Sequence, residues 1–348
     1  MRQKIRRAFA FLLCVSLFLV CSFSLFGCEL PKTKYSDTRY QYFDTPITIV
    51  GYEDNAKHFE KAKQLFWDTI QTYHKLLDAY TTYDGVANIA YLNQMAGKGE
   101  VSVSSEMVEF LLFAKEMHAK TNGMVNIAMG SVIDLWHTQQ EQYDNGGTVA
   151  LPLADALHEA SLHTDIEHLA INQSNNTVAI ADEKLMLNAG ALAKGYVAEK
   201  AAAKLHAAGY THYALDLGGN LRLIGNKDGK NLWHVGVSSP AYDGSHVTSL
   251  RLEDTSLVTS GSYQRFFTFE GKKYHHIIDP RTLFPAESDF VSVSICTQNA
   301  ALADALSTYL FMLTKEEGLA FVASLPDAEA FWIESDGQTF SSPGWTSQ

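Results

Sequence analysis

The sequence predicts an α+β protein. Apolar residues at helical spacing and short β-branched runs are mixed along the chain with no regular strand–helix–strand rhythm. A strand-rich stretch then runs from residue 212 to 278. There is no internal repeat and no long linker, so one compact domain with a helical N-terminal part accounts for the chain. Its 348 residues leave ample room for a core. With 46% apolar and 19% charged residues, a disordered chain, a collagen-like repeat and a polytopic membrane protein are excluded. The 27 Lys and Arg against 39 Asp and Glu give a charge of −12, and nucleic acid is not an expected partner, because phosphate contacts need clustered cations.

The first segment reads as an export signal. Arg2, Lys4, Arg6 and Arg7 precede a mostly apolar run from Ala8 to Gly27. Leu25-Phe26-Gly27-Cys28 resembles the lipobox of bacterial lipoproteins, although Phe26 stands where a small residue is usual. The expected processing removes residues 1–27 as a signal peptide, lipidates Cys28 and leaves the protein on the extracytoplasmic face of the cell membrane. An uncleaved anchor also fits a run of about 20 residues, and it too exports the remainder. Removing four basic and no acidic residues takes the rest of the chain to −16. Residues 28–40 then form the lipidated Cys and a polar tether, and 41–340 the folded domain. Cys14 and Cys21 lie in the signal, and Cys296 stands alone in the β-branched run Phe290–Thr297, as a buried core thiol. Neither an intrachain disulfide framework nor a Cys-based metal site can be built from this set.

The elements follow in order. Ile47 to Tyr52 is a first strand. Asn55 to Tyr80 carries Phe59, Ala62, Leu65, Phe66, Ile70, Tyr73 and Leu77 at helical spacing. Ser104 to Lys120 is a second helix, with serines for N-caps and Gly123 beyond its end. Tyr143 to Thr148 is a polar loop and Leu151 to Leu162 a helix. Leu169–Ile171 and Thr177–Ala181 flank five polar residues and form a hairpin. Ala191 to Ala208 is a helix entered from Leu185–Leu187. Strands follow at 212–217, 220–225, 232–238, 247–252, 256–259, 265–269 and 273–278. The chain closes with strand 290–296, helices 299–313 and 315–324, and strand 329–334.

Four segments carry candidate chemistry. Leu187 to Tyr196 places small residues and Lys194 at the start of a helix, where backbone N–H groups favour anions; an ordinary Ala-rich packing helix has the same composition. Asp216-Leu217-Gly218-Gly219-Asn220 sets paired glycines between strands, which suits a close backbone approach or a simple hairpin turn. Thr259 to Arg265 and His275 to Thr282 crowd hydroxyls, an Arg and two histidines onto neighbouring strands and their loops. Asp304 and Thr308, at i and i+4, share one helix face and offer hard oxygen ligands suited to Mg²⁺, or else a capping Asp and a back-bonded Thr.

Taken together and in this order, these segments resemble the ApbE family of FAD:protein FMN transferases. The family's opening Met-Gly-Thr is similar to Phe43-Asp44-Thr45, and its Ser-x-Tyr with Leu-Asn to Thr81-Thr82-Tyr83 with Leu92-Asn93. Its Thr-x-Gly-x-Phe-Asp, ending in a Trp, is similar to Thr121 to Asn126 and Asp134-Leu135-Trp136. Gly190 to Tyr196 matches its Gly-(Gly/Ala)-x-Ala-Lys-Gly-Tyr. Segments 217–220, 259–265, 276–282 and 303–308 match the remaining motifs, so the resemblance spans about Tyr42 to Phe331.

The resemblance implies one ApbE-like domain of mixed sheets and flanking helices, splitting FAD at its pyrophosphate. FMN would pass to a Thr hydroxyl of an acceptor flavoprotein, with release of AMP. It implies a Mg²⁺ held by the Ala191 carbonyl, Asp304 and Thr308. FAD contacts would come from Phe43, Tyr83, Met124, Val125, Asn126, Asn188, Lys194, Ser260, Gly261 and His276, with His276 as catalytic base. Departures stand at Asp44, at Asn126 and Asn188, where the family has Asp, and at Leu283, where it has Gly. Two other functions use the same site: an FAD pyrophosphatase giving FMN and AMP, and a non-enzymatic flavin-binding lipoprotein.

Overall fold

The computed structural model describes residues 31–241 and 243–346, so the signal and Cys28 lie outside the described residues. The principal feature is an eight-stranded sheet. Its strands are Thr33–Tyr42, Thr45–Glu53, Tyr213–Leu217, Asn220–Ile224, Ser256–Gly261, Phe290–Thr297, Ala328–Glu334 and Thr339–Ser341, in that spatial order. Every neighbouring pair is antiparallel. Among the described residues, three small antiparallel sheets complete the β structure: Phe266–Phe269 with Lys272–His275, Trp233–Ser238 with His246–Leu252, and a three-stranded sheet of Glu100–Ser102, Thr177–Ile180 and Leu169–Asn172. The α+β expectation holds.

Helices Ala56–Leu77, Ala193–Ala207 and Ala300–Phe311 pack on the sheet through two adjoining cores. Ile47, Ile49, Leu215 and Leu217 meet Phe66, Ile70 and Tyr73 of helix Ala56–Leu77 and Val197 and Ala201 of helix Ala193–Ala207. Val258, Val293, Ile295 and Trp332 meet Leu306, Leu310 and Phe311 of helix Ala300–Phe311. Side-chain caps fix the helix starts: Asn55 accepts from His58 N, Ser104 from Met107 N and Asn299 from Leu302 N.

The polar tether is corrected. Residues 33–40, read as tether, belong to the edge strand Thr33–Tyr42. Its inward positions are Tyr35, Asp37 and Arg39, and helix Ala56–Leu77 supplies their partners. Tyr35 stacks on Phe59 at 5.4 Å, Trp67 Nε1 donates to Asp37 Oδ2 at 2.7 Å, and Arg39 lies 4.4 Å from the Trp67 ring. A strand stabilised by a cation–π contact and a charged acceptor shows no apolar alternation in its sequence.

Smaller corrections have local causes. The first long helix stops at Leu77, because Asp78 Oδ1 accepts from the backbones of Tyr80 and Thr81 and turns the chain. The helix placed at 151–162 covers only Ala154–Ser161. Helix Gly130–Asp144 reaches into the segment read as a loop from Tyr143, and helix Ile89–Gln94 has no counterpart in the expectation. The strand expected at 273–278 ends at His275, whose Nδ1 accepts from Ile277 N.

Candidate active site

The site is organised where helix Ala193–Ala207 begins against helix Ala300–Phe311. Gly195 N donates to Asp304 Oδ2 at 2.7 Å, and Asp304 is 4% exposed. The Ala191 carbonyl, which the Gly195 amide would cap in a regular helix, accepts no hydrogen bond among the described residues. Burial pushes the Asp304 carboxyl up, opposed by the charge of Lys194 and the Gly195 amide. One turn on, Thr308 Oγ1 lies 3.3 Å from Ser260 Oγ, which also meets Ser307 Oγ at 2.8 Å. Ser307 in turn donates to the Asp304 carbonyl at 3.0 Å. The Ala-rich helix therefore packs closely and also presents a ligand-ready end.

A second group reaches the same place from the sheet. His276 N donates to the Arg265 carbonyl at 3.2 Å, and His276 Nδ1 lies 3.2 Å from the same oxygen. A carbonyl only accepts, which places the imidazole proton on Nδ1 and leaves the Nε2 lone pair free. Burial among surrounding atoms pushes the His276 pKa down to about 3, aided by the charges of Lys194 and Arg265. Water still reaches part of the residue, and the ring is neutral at pH 7. The Arg265 guanidinium donates to the carbonyls of Phe43 and Asp44 at 3.3 and 2.6 Å. Those two residues form a left-handed turn, with φ of +53° and +50°. Gly218 packs on the next residue of that turn; a Cβ there would meet Thr45 Oγ1 at 2.0 Å.

A third group comes from the loops. Asn93 forms a two-way clamp, Nδ2 donating to the Leu187 carbonyl at 3.0 Å and Oδ1 accepting from Leu187 N at 2.7 Å. The next residue, Asn188, accepts from Gly190 N at 2.8 Å and donates to the Tyr80 hydroxyl at 3.1 Å. Asn188 N bonds the Ile127 carbonyl at 2.7 Å, tying segment 124–128 to it. Val125 N donates to the buried Thr121 hydroxyl at 3.0 Å, with Met124 half-buried beside it.

The sequence-derived residues divide accordingly. Ala191, Lys194, Ser260, Asp304 and Thr308 come together at the junction of helix Ala193–Ala207 with helix Ala300–Phe311, with His276 linked through the charge of Lys194. Gly261 follows Ser260 in its strand and takes no Cβ, which would lie 2.9 Å from the Val291 carbonyl. The Asn126 side chain is spent locally, donating to the Thr164 carbonyl at 2.9 Å and accepting from Ala128 N at 2.9 Å. Tyr83 donates to Asp78 Oδ2 at 2.8 Å. Neither is hydrogen-bonded to the Asp304 group. Leu283 keeps a left-handed backbone, φ +66°, held by Trp136 Nε1 donating to its carbonyl at 2.8 Å. Cys28 lies outside the described residues. Tyr80, His137, Gly195 and the clamp made by Asn93 are absent from the sequence-derived set; the Leu-Asn and Lys-Gly pairs signal the last two, and nothing local signals the first two.

A buried carboxylate, a hydroxyl and an unpartnered carbonyl at one helix start, with a lysine and a neutral histidine, make an enzyme-like site for a phosphate-bearing substrate. Known proteins narrow that class. Residues 43–332 match the ApbE family, and the chain belongs to it. A Treponema pallidum FAD:protein FMN transferase is 36% identical over 272 residues, covering 74% of this chain and 73% of that protein. One from Klebsiella pneumoniae is 27% identical over 304 residues, covering 86% and 90%. Among solved structures, the ApbE protein of Thermotoga maritima superimposes with a TM-score of 0.77 at 24% identity, covering 89% and 97% of the two chains. The apo flavinyl transferase ApbE of Pseudomonas stutzeri gives 0.75 at 22% identity, covering 91% and 97%; both likenesses concern the fold.

Proposed function

We propose that this chain is an FAD:protein FMN transferase. The observation that carries the reading is the diversion of the Gly195 amide onto Asp304, which leaves the Ala191 carbonyl unpartnered beside a carboxylate and the Thr308 hydroxyl. Three oxygens of that kind fit a hard divalent cation, and the relatives' names supply the flavin substrate and a protein acceptor. Ala191, Asp304 and Thr308 would hold Mg²⁺. When bound, the ion would supply neutralisation of the charge on the pyrophosphate as its bridging P–O bond breaks.

The remaining steps belong to side chains and backbone. The helix start and Lys194 attract the pyrophosphate. The acceptor Thr hydroxyl attacks the FMN phosphorus, the bridging P–O bond breaks, and AMP leaves with that bridging oxygen. His276 takes the hydroxyl proton at Nε2 while the Arg265 carbonyl fixes its other nitrogen. Desolvation, aided by Lys194 and Arg265, keeps the imidazole in the neutral form that can accept a proton, and a bound anion would offset the two cationic contributions. Attachment through Cys28 on the extracytoplasmic face completes the proposal, supported by the basic and apolar start of the sequence.

The test mixes the protein with FAD, Mg²⁺ and an acceptor domain bearing a flavinylation Thr. Flavin fluorescence on the acceptor in a denaturing gel, with equimolar AMP, supports the transferase, and Asp304→Ala abolishes both. AMP and free FMN with every acceptor tried mark a hydrolase instead. Bound FAD without AMP marks a binder.

A further inference from the structure

Tyr80 lies outside every motif used above, yet it is bonded into the site. Its backbone N–H is held by Asp78 Oδ1 at 2.8 Å. One ring face stacks on His137, with centroids 4.5 Å apart and planes 17° from parallel. Its hydroxyl oxygen accepts from Asn188 Nδ2 at 3.1 Å, while Asn188 Oδ1 holds the Gly190 amide one step before the Ala191 carbonyl. The residue is nonetheless 50% exposed, and the hydroxyl's own proton has no acceptor among the described residues. A rigidly held aromatic residue with one covered face, one open side and an unspent donor has the form of a ligand contact. Burial, with Asp134 nearby, pushes the phenol up to about 12, so the donor is retained throughout the neutral range.

Resting on the flavin-transfer reading, we propose that Tyr80 is a further substrate-contacting residue. Its phenol donates to an acceptor oxygen or nitrogen of bound FAD, and Asn188 and His137 hold it in place. The residue at position 188 explains the coupling. Asn accepts from Gly190 and donates to Tyr80 at once; a carboxylate there has no proton to give and would itself take the one on Tyr80. An Asn at 188 therefore frees the Tyr80 proton for the ligand.

The proposal is tested by equilibrium FAD binding and AMP release in a double-mutant cycle of the full chain. Tyr80→Phe keeps the stack on His137 and removes the donor; it is expected to weaken FAD binding roughly 2- to 10-fold, the effect of one neutral hydrogen bond, with AMP release at saturating FAD within about twofold. Asn188→Asp, which claims the same proton, is expected to leave Tyr80→Phe with little further effect on affinity. Melting temperature is measured beside both, and Tyr80→Phe should leave it unchanged. Unaltered FAD affinity in Tyr80→Phe, or losses that multiply in the double variant, overturns the assignment while leaving the transferase intact. A parent chain that binds no FAD overturns the function and this inference together.

Discussion

Gly195 and Asp304, 109 residues apart in sequence, make a contact that only glycine permits. The amide-to-carboxylate bond of 2.7 Å draws two helices so close that a Cβ on residue 195 would lie 2.4 Å from Asp304 Cβ and 2.3 Å from the Ala300 carbonyl. The glycine needs no unusual φ here; its value is the space it leaves. Gly195→Ala is therefore expected to destabilise the fold by about 1–3 kcal/mol, the usual cost of overpacking, although alanine favours a helix. Urea denaturation measures this, and transfer activity falls further than the stability loss accounts for, because Asp304 must move. Unchanged stability and activity would mean the helices separate at no cost.

The metal prediction follows from the same contact. Mg²⁺ at about a hundred times its Kd should stabilise the parent chain by about 2.7 kcal/mol, and a chelator should remove the gain. Asp304→Ala and Thr308→Ala should show no such gain at the same concentration. Thermal melts with and without Mg²⁺, free of substrate, separate this from any effect on catalysis.

Asn126 stands where the resemblance expects a carboxylate, and the structure shows what the amide does. Its Nδ2 donates to the Thr164 carbonyl, a bond an Asp cannot make. Asn126→Asp sets two acceptors against each other and is expected to cost about 1–3 kcal/mol. Chemical denaturation checks it, with Asn126→Ala as the companion that removes the repulsion.

How much of this is legible in the sequence depends on where the partners lie. Helix Ala56–Leu77 is legible because Phe59, Phe66, Ile70 and Tyr73 recur on one face and bury there. Asp304 and Thr308 are legible as a pair because helical spacing alone puts them on one side. Strand Thr33–Tyr42 is not, because its stabilising groups, Phe59 and Trp67, belong to another element. The same holds for Tyr80, whose meaning comes from Asn188 and His137, both distant in sequence.

Histidines set the expected acid response. Burial lowers the pKa of His275, whose Nε2 faces the Ala286 carbonyl at 3.0 Å and whose Nδ1 accepts from Ile277 N. That pairing needs the neutral ring. The unfolded chain then binds a proton near pH 6.5 that the folded chain resists. The unfolded state carries more protons below that pH, so stability is full above about 6.5 and falls as the pH drops toward the lowered folded value. His74 and His118 shift the same way, each by burial, and add to the trend. His275→Gln should lose less stability between pH 7.5 and 5 than the parent does, measured by urea midpoints at each pH. Parallel profiles for the two chains would show that His275 does not titrate on unfolding.

The clamp of Asn93 on Leu187 gives the last expectation. The two bonds join helix Ile89–Gln94 to the backbone one residue before Asn188. Leu187 is 1% exposed, so Asn93→Ala leaves its N–H and carbonyl without partners and without water. Each unsatisfied buried group costs about 1–3 kcal/mol, so a large loss of stability is expected. Asn93→Asp keeps the acceptor for Leu187 N but sets a carboxylate oxygen against the Leu187 carbonyl, as at Asn126, so it too should lose stability. The position of Asn188 depends on the same backbone, and both variants should weaken FAD binding in the order of their stability losses. The decisive comparison is AMP release at saturating FAD in whichever variant stays folded. A rate near the parent's means the clamp serves binding alone; a collapsed rate means it also sets the helix start that carries Ala191 and Lys194.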